Sequence, residues 1–573
     1  MRLVSLIANK NTFHPVTFNE TGLTLIVGKQ KETEEDSSKR TFNGVGKSLI
    51  VDLIHYCLGS NRIPSLEEKL SDWEFQLKFK HENEEFTARR AVKDPTKIVL
   101  NNDELKISHF NKTLQDIFFP QLNKYKGLSF RDLLKLFIRT NRSAYEAYDS
   151  SDFSGETDYK KQLRLAYLLG LEIGYAIEKC KFKKELEELR KKQKQFKKDE
   201  LLKAFCVGDS NPDIELNELS LKIKKLQVKL RNYKVAEDYH SKQCEANDVT
   251  YSLQQLRNKQ EMISKALTQV NQSLAIKPDI EPERIYLIYE EANVSLPDLV
   301  KNKIQKVTEF HSQLLQMRTR KLAEEKRRLK KILEGILGKV NKLNEQRDAL
   351  LHYLGTHGAL DEYTALSNEL AKMKARYNKI VDYQKLLRQY SDKQAQIEMK
   401  MKKNNVETNQ YLEDIHPLIE SNMEAFTTFS KRFYEEKPGG LAVKNNEGDN
   451  QVRFDIKAKI QDDASDGINE VKIFCFDMTI LTQKHNHLID LIFHDSRLFS
   501  DMDSRQRAMA LELASEISTQ GNFQYIATIN QDQLESSSHQ WSNEIKNAIY
   551  NSIVLELTDE GPESKLLGIQ IDM

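Results

Sequence analysis

At 573 residues the chain exceeds one compact domain, yet it is only 39% hydrophobic and 30% charged, with 21 Gly and 11 Pro; this composition predicts long surface helices beside globular parts. A net charge of +1 excludes a uniformly basic nucleic-acid binder. The five cysteines form no CxxC pair, arguing against a zinc site or disulfide framework. Met1–Ala8 is followed by Asn9, Lys10, Asn11 and, past Thr12 and Phe13, His14, so no signal-peptide core is read, and no apolar run is long enough to span a bilayer; the expected location is cytoplasmic, without a membrane partner.

Residues 1–170 read as an α/β lobe, with strands Arg2–Ile7, Leu23–Val27, Trp73–Phe79 and Glu85–Ala91. Its most informative stretch is Leu25-Ile26-Val27-Gly28, then Asn43-Gly44-Val45-Gly46-Lys47-Ser48 running into Leu49–Ile54. That is strand, phosphate loop and helix. Backbone N–H groups of small residues wrap phosphate oxygens at a helix N-terminus, a lysine reaches the outer phosphates, and a hydroxyl holds Mg2+. Thr41 stands where the strict pattern has its first glycine. Gly28 is read as that glycine, displaced by the polar insertion Lys29–Arg40. The expected ligand is a nucleoside triphosphate, ATP with Mg2+. Arg89 and Arg90 are either phosphate contacts or surface charge, and Gln121 or Thr140-Asn141-Arg142 are candidates for a glutamine-lid loop.

From 171 to 435 the texture is coiled coil. Leu216, Leu219, Ile223, Leu226, Leu230 and Tyr233 repeat at alternating threes and fours, as do Tyr363, Leu366, Leu370, Met373, Tyr377 and Ile380. The proline-bearing interval near 277–297 predicts a reversal, so the limbs pair antiparallel. Interruptions near 206–213 and 354–358 are expected to lie level, as an elbow. A limb of about 100 residues would reach roughly 150 Å if straight. Cations cluster at Lys181, Lys183, Lys184, Arg190, Lys191, Lys192, Lys194, Lys197 and Lys198, and again over 318–331. They are either a solvated helical face or a non-specific contact to duplex phosphates.

Residues 436–573 return to α/β texture: a hairpin about Asn446–Asn450, a helix Glu470–Leu481, a strand Leu488–Phe493, a helix Ser504–Ile517, a strand Tyr525–Thr528 and a closing hairpin through Asp559–Pro562. The apolar strand runs into Asp495, placed to orient the Mg2+ held by Ser48. Upstream, Ser465 and Gly467 open a helix as a weak match to an ABC signature. Asn530 follows the next strand, where a γ-phosphate sensor belongs. His485-Asn486-His487 reads as a solvent-exposed polar turn.

This order of P-loop, antiparallel coiled coil, signature, magnesium carboxylate and switch resembles the SMC, RecN and zinc-hook repair ATPases along the whole chain. His494-Asp495-Ser496-Arg497-Leu498-Phe499 further resembles the bacterial SMC-like proteins of ABC-three-component and Lamassu-type defence. The resemblance implies an α/β ABC-type head assembled from N- and C-terminal lobes, with ATP sandwiched between two heads of a homodimer. It also implies double-stranded DNA as a non-specific ligand, and an effector nuclease with an accessory subunit as partners in anti-phage or anti-plasmid defence. The alternatives are a RecN- or SMC-type repair or chromosome-organising ATPase, and a coiled-coil scaffold that holds ATP structurally. Ser496 replaces the family's catalytic glutamate, so turnover is expected to be slow unless Asp501 or Asp503 substitutes. Asn530 replaces the usual switch histidine, and the tip lacks a CxxC.

Overall fold

The computed structural model describes residues 1–30, 44–150, 155–199, 211–232, 237–275, 298–354, 360–436, 439–461 and 465–570. Asn43, the tip near 277–297 and most of both proposed breaks lie outside them. The chain divides into two units, one built from 1–188 with 395–573, the other from 189–394.

In chain order the first unit opens with β1 (Arg2–Ala8), β2 (Val16–Thr17) and β3 (Gly22–Lys29), then α1 (Lys47–Cys57) and α2 (Pro64–Lys69). Strands β4 (Glu74–His81), β5 (Glu84–Ala91), β6 (Lys97–Leu100) and β7 (Asp103–Lys106) follow, then α3 (Ile107–Phe118), α4 (Phe130–Phe137), α5 (Asp158–Leu168) and α6 (Gly174–Lys198). The second unit holds α7 (Pro212–Arg231), α8 (Glu237–Ala275), α9 (Asp298–Leu354) and the first part of α10 (Leu360–Asp414). The first unit resumes with α11 (His416–Phe433), β8 (Gly439–Asn445), β9 (Phe454–Ile460), α12 (Asp466–Gln483) and β10 (Leu491–His494). It closes with α13 (Ser504–Gln520), β11 (Gln524–Asn530), α14 (Gln531–Ser538), α15 (Asn543–Asn551) and β12 (Ile553–Thr558).

Two sheets carry this unit, and hydrophobic pattern explains their difference. In β4, Phe75, Leu77 and Phe79 are buried while Gln76 and Lys78 alternate outward, as a one-sided antiparallel sheet requires. It lies in a sheet of order β2-β1-β4-β5-β6-β7. By contrast, β3 is apolar almost without interruption and buried along its length, as suits a strand covered on both faces. It sits in a parallel sheet of order β10-β11-β3-β12. Every neighbour of β3 in that sheet comes from residues 491–558, so the first and last parts of the chain share one sheet. The expected closing hairpin does not form: β12 pairs in parallel with β3, and a short 3-10 turn at Pro562–Ser564 follows it.

In the second unit the two heptad repeats meet. Leu226 and Leu230 of α7 pack with Tyr363 and Leu370 of α10, flanked by Ile223, Leu366 and Met373. The pairing is antiparallel: Asp213 accepts a hydrogen bond from Gln384 at 2.7 Å, and Glu215 accepts from Arg376 at 2.7 Å. Likewise Arg257 of α8 reaches Asn344 of α9, and Arg318 reaches the Ser273 carbonyl. The start of α7 lies opposite 376–384, inside continuous α10, whereas Leu354 packs against Ala246 and Tyr363 accepts from Asn247 at 2.6 Å.

Among the described residues no helix is long and apolar enough to cross a membrane.

Candidate nucleotide site

Helix α1 begins at Lys47 behind Gly46, which has φ +108° and offers no side-chain cap to the first N–H groups. Uncapped N–H groups with the helix dipole behind them form an anion site. A left-handed backbone of this kind needs glycine. Gly28, at the end of β3, serves differently: a Cβ there would collide with Lys47 Nζ. The displaced glycine of the sequence reading thus lets the lysine lie against the strand. Lys47 is 6% exposed, and burial lowers its pKa to about 8, opposed by the charges of Asp495 and Asp532.

Across from α1, β10 delivers Asp495, fully buried. Ser48 Oγ donates to Asp495 Oδ2 at 2.8 Å, and Thr528 Oγ1, from β11, donates to Oδ1 at 2.6 Å. The Ser496 N–H donates to the same Oδ1 at 2.8 Å, and Arg497 Nε stands 3.5 Å from Oδ2. The Asp495 N–H donates to Tyr145 Oη at 2.8 Å. A hydroxyl and a carboxylate oxygen within hydrogen-bond reach are the hard oxygen donors that suit Mg2+, which takes its remaining ligands from water and phosphate. The donor set fits the ion, with Arg497 as a neighbouring cation.

Gly44, Val45, Gly46, Lys47 and Ser48 line one cleft of about 330 Å3 together with Ser496, Arg497, Ser500 and Asn530. The Asn530 N–H donates to Gln533 Oε1 at the start of α14. Ser496 Oγ lies 3.4 Å from Asp495 Oδ1. Three of the residues read from sequence sit elsewhere. Asp503 is the N-cap of α13, where its carboxylate accepts from the Gln506 N–H at 2.7 Å and its N–H donates back to Gln506 Oε1. That capping box satisfies both groups, so the carboxylate is engaged in holding a helix end. Ser465 is exposed at the N-cap of α12, and Gly467 is buried where a Cβ would strike the Asp501 carbonyl. Neither lines the cleft of its own chain.

Behind Asp495 lies a polar core invisible in the sequence. Arg139 and Asp477 form a two-pronged pair, Nε to Oδ2 at 2.6 Å and Nη2 to Oδ1 at 2.7 Å, both fully buried. His494 bridges Asp477 Oδ2 at 2.9 Å and Tyr525 Oη at 2.8 Å. Burial lowers the His494 pKa, partly offset by Asp477. The Arg139 guanidinium also donates to the carbonyls of Ala144, Tyr148 and Ser150, fixing the segment that carries Tyr145. Of the two lid candidates, Thr140–Arg142 lies between Arg139, whose N–H donates to the Phe493 carbonyl, and Tyr145, which accepts from the Asp495 N–H, while Gln121 sits exposed in a separate 3-10 turn.

Several other readings change. Arg90 is buried, donating to the carbonyls of Tyr56 and Ser60 at 2.7 and 2.8 Å and stacking on the Tyr56 ring, so it is neither surface charge nor phosphate contact. His487 is buried, bonded to the Ile480 carbonyl, and half-buried His485 meets Asn422, in place of the exposed turn expected. Lys183 is buried against Asp449 and leaves the set of exposed cations. Among the described residues no His, Cys, Asp and Glu group is arranged to hold a metal by itself.

The family model described as "Uncharacterised protein conserved in bacteria (DUF2326)" matches residues 429–571. No curated protein matches the chain. Among solved structures it is similar to the Smc head domain with a coiled coil and joint from Pyrococcus yayanosii, at 13% identity and TM-score 0.39, covering 97% of this chain and 94% of that one. It is also similar to the Smc head with an extended coiled coil bound to the C-terminal domain of ScpA from Pyrococcus furiosus, at 12% identity and TM-score 0.31, covering 94% and 91%. A third, the SmcHead bound to the C-winged helix domain of ScpA, gives 10% identity and TM-score 0.33, covering 94% and 92%.

Proposed function

We propose that this chain is an SMC-like ATP-binding protein that uses Mg2+ and pairs its heads on ATP. The observation that carries the reading is the convergence of Lys47 and Ser48, at an uncapped helix start, with Asp495 from a strand some 450 residues away in sequence. Cation, hydroxyl, carboxylate and bare N–H groups are what a magnesium triphosphate requires. Ser465, exposed and outside its own chain's cleft, is available to complete the site of a second copy. Slow turnover follows from Ser496: among the described residues its hydroxyl meets Asp495, and that carboxylate already accepts from Ser48, Thr528 and the Ser496 N–H.

In this reading the paired form holds duplex DNA through exposed helix cations such as Lys191 and Lys194, and licenses a partner effector in anti-phage or anti-plasmid defence. The test is calorimetry with Mg-ATP on wild type, Lys47→Ala and Ser465→Arg, with light scattering for mass. Lys47→Ala should lose ATP binding and pairing, whereas Ser465→Arg should keep binding and lose pairing. ATP affinity unchanged by Lys47→Ala would end the nucleotide reading; ATP-driven pairing of Ser465→Arg would end the shared site.

A further inference from the structure

One wall of the cleft comes from neither the phosphate loop nor the ends of β10 and β11. It is made by Lys565, Leu566, Leu567 and Ile569, a segment that follows β12 by several residues. The Leu566 N–H donates to the Val45 carbonyl at 3.1 Å, and the Leu566 carbonyl accepts from the His14 N–H at 2.9 Å. His14 Nε2 donates to the Glu563 carbonyl at 2.6 Å. The Leu566 side chain fills the space that a Cβ on Gly46 would need. Gly568, at φ +65°, turns the chain against the Thr12 carbonyl and lets its N–H return to Lys565. The segment is thus stitched to the phosphate loop on one side and to the strand connection at Thr12–His14 on the other.

The two ends of the cleft differ in chemistry. Ser496, Arg497, Ser500 and Asn530 crowd the end marked by Asp495, where outer phosphates and metal belong. Leu566, Leu567 and Ile569 make the apolar part, against Val45 and Gly46. Leu566 and Leu567 are buried, and Ile569, half-buried and packed in part on the core, lines the cleft. A triphosphate has no use for an apolar wall. A nucleobase does, since its faces lose water on binding and its phosphates stay at the loop.

We propose that Glu563–Gln570 is the base-binding wall of the nucleotide site, with Ile569 the side chain that contacts the base and the Val45–Leu566–His14 backbone bridges fixing it to the phosphate loop. This rests on the nucleotide reading above. The test is calorimetry of the full chain with Mg-ATP and, separately, Mg-tripolyphosphate, which has the phosphates without the base. Ile569→Ser should weaken ATP by about tenfold, the range for loss of an apolar pocket contact, and leave tripolyphosphate unchanged. Ile569→Phe, offering a larger apolar face, should bind ATP at least as well as wild type. Equal losses for both ligands would make the segment a brace for the loop only, and no loss for either would remove Ile569 from the site; each overturns the proposal. Wild type binding tripolyphosphate as tightly as ATP would overturn the wall while sparing the phosphate site. Wild type binding neither would overturn the nucleotide reading and this inference with it.

Discussion

Replacing Lys47 with methionine should make the nucleotide-free protein more stable while abolishing its response to ATP. The lysine is held at 6% exposure, and its pKa falls from 10.5 to about 8 because burial outweighs the attraction of Asp495 and Asp532. At about 1.36 kcal/mol per pKa unit, the charged ammonium costs the folded state about 3 kcal/mol. Methionine keeps most of the volume and carries no charge. Below pH 8 the lysine is protonated in both folded and unfolded chains, so the cost is present in full. Between about 8 and 10.5 the folded protein sheds the proton first, and wild-type stability recovers as pH rises. The advantage of Lys47→Met should therefore be greatest at pH 7 and disappear by pH 10.5. Urea denaturation followed by tryptophan fluorescence reads this unit alone, because Trp73 and Trp541 both belong to it. Mg-ATP at a hundredfold excess over its Kd should add about 2.7 kcal/mol to wild type and nothing to the variant. A variant less stable than wild type at pH 7, by an amount that does not change with pH, would refute a lysine stored at a cost for phosphate.

Three further outcomes follow from the same geometry. Arg139→Met should destabilise the first unit by about 3 to 5 kcal/mol by leaving the buried Asp477 carboxylate without its guanidinium, and adding Asp477→Leu should restore much of it; urea midpoints without such recovery would contradict a paired origin. Ser496→Glu should raise ATP turnover by about 10²- to 10⁴-fold by supplying a base, as read by phosphate release; an unchanged rate would show that a missing base does not limit the reaction. Changing Lys191, Lys192 and Lys194 together to Glu should weaken duplex binding, steepest at low salt, without altering ATP affinity; fluorescence anisotropy showing equal DNA affinity would remove this helix from the DNA reading.

The parts of the site carried by local sequence were legible because their chemistry is local. A glycine turn entering a helix, a lysine and hydroxyl at its start, and an apolar strand ending in aspartate each announce themselves within ten residues, as do heptad repeats and turn residues. The burial of β3 along its length and of β4 at alternate residues agrees with their apolar patterns. Only the tertiary structure decided what long-range partners do with these pieces. Asp503 has the composition of a catalytic carboxylate, but Gln506 three residues on makes it a cap. Arg90 and Lys183 look like surface charge until carbonyls and Asp449 are brought to them across the fold. The Arg139–Asp477 pair joins residues 338 apart, and no periodicity marks either one. Leu566, an ordinary leucine in a polar run, meets Gly46 only because β12 enters the sheet beside β3 and sets the following segment down over the loop. Local pattern fixes which groups a segment can offer; which of them become buried, paired or presented to a cleft depends on contacts between segments hundreds of residues apart, and those exist only once the two ends of the chain have formed one sheet.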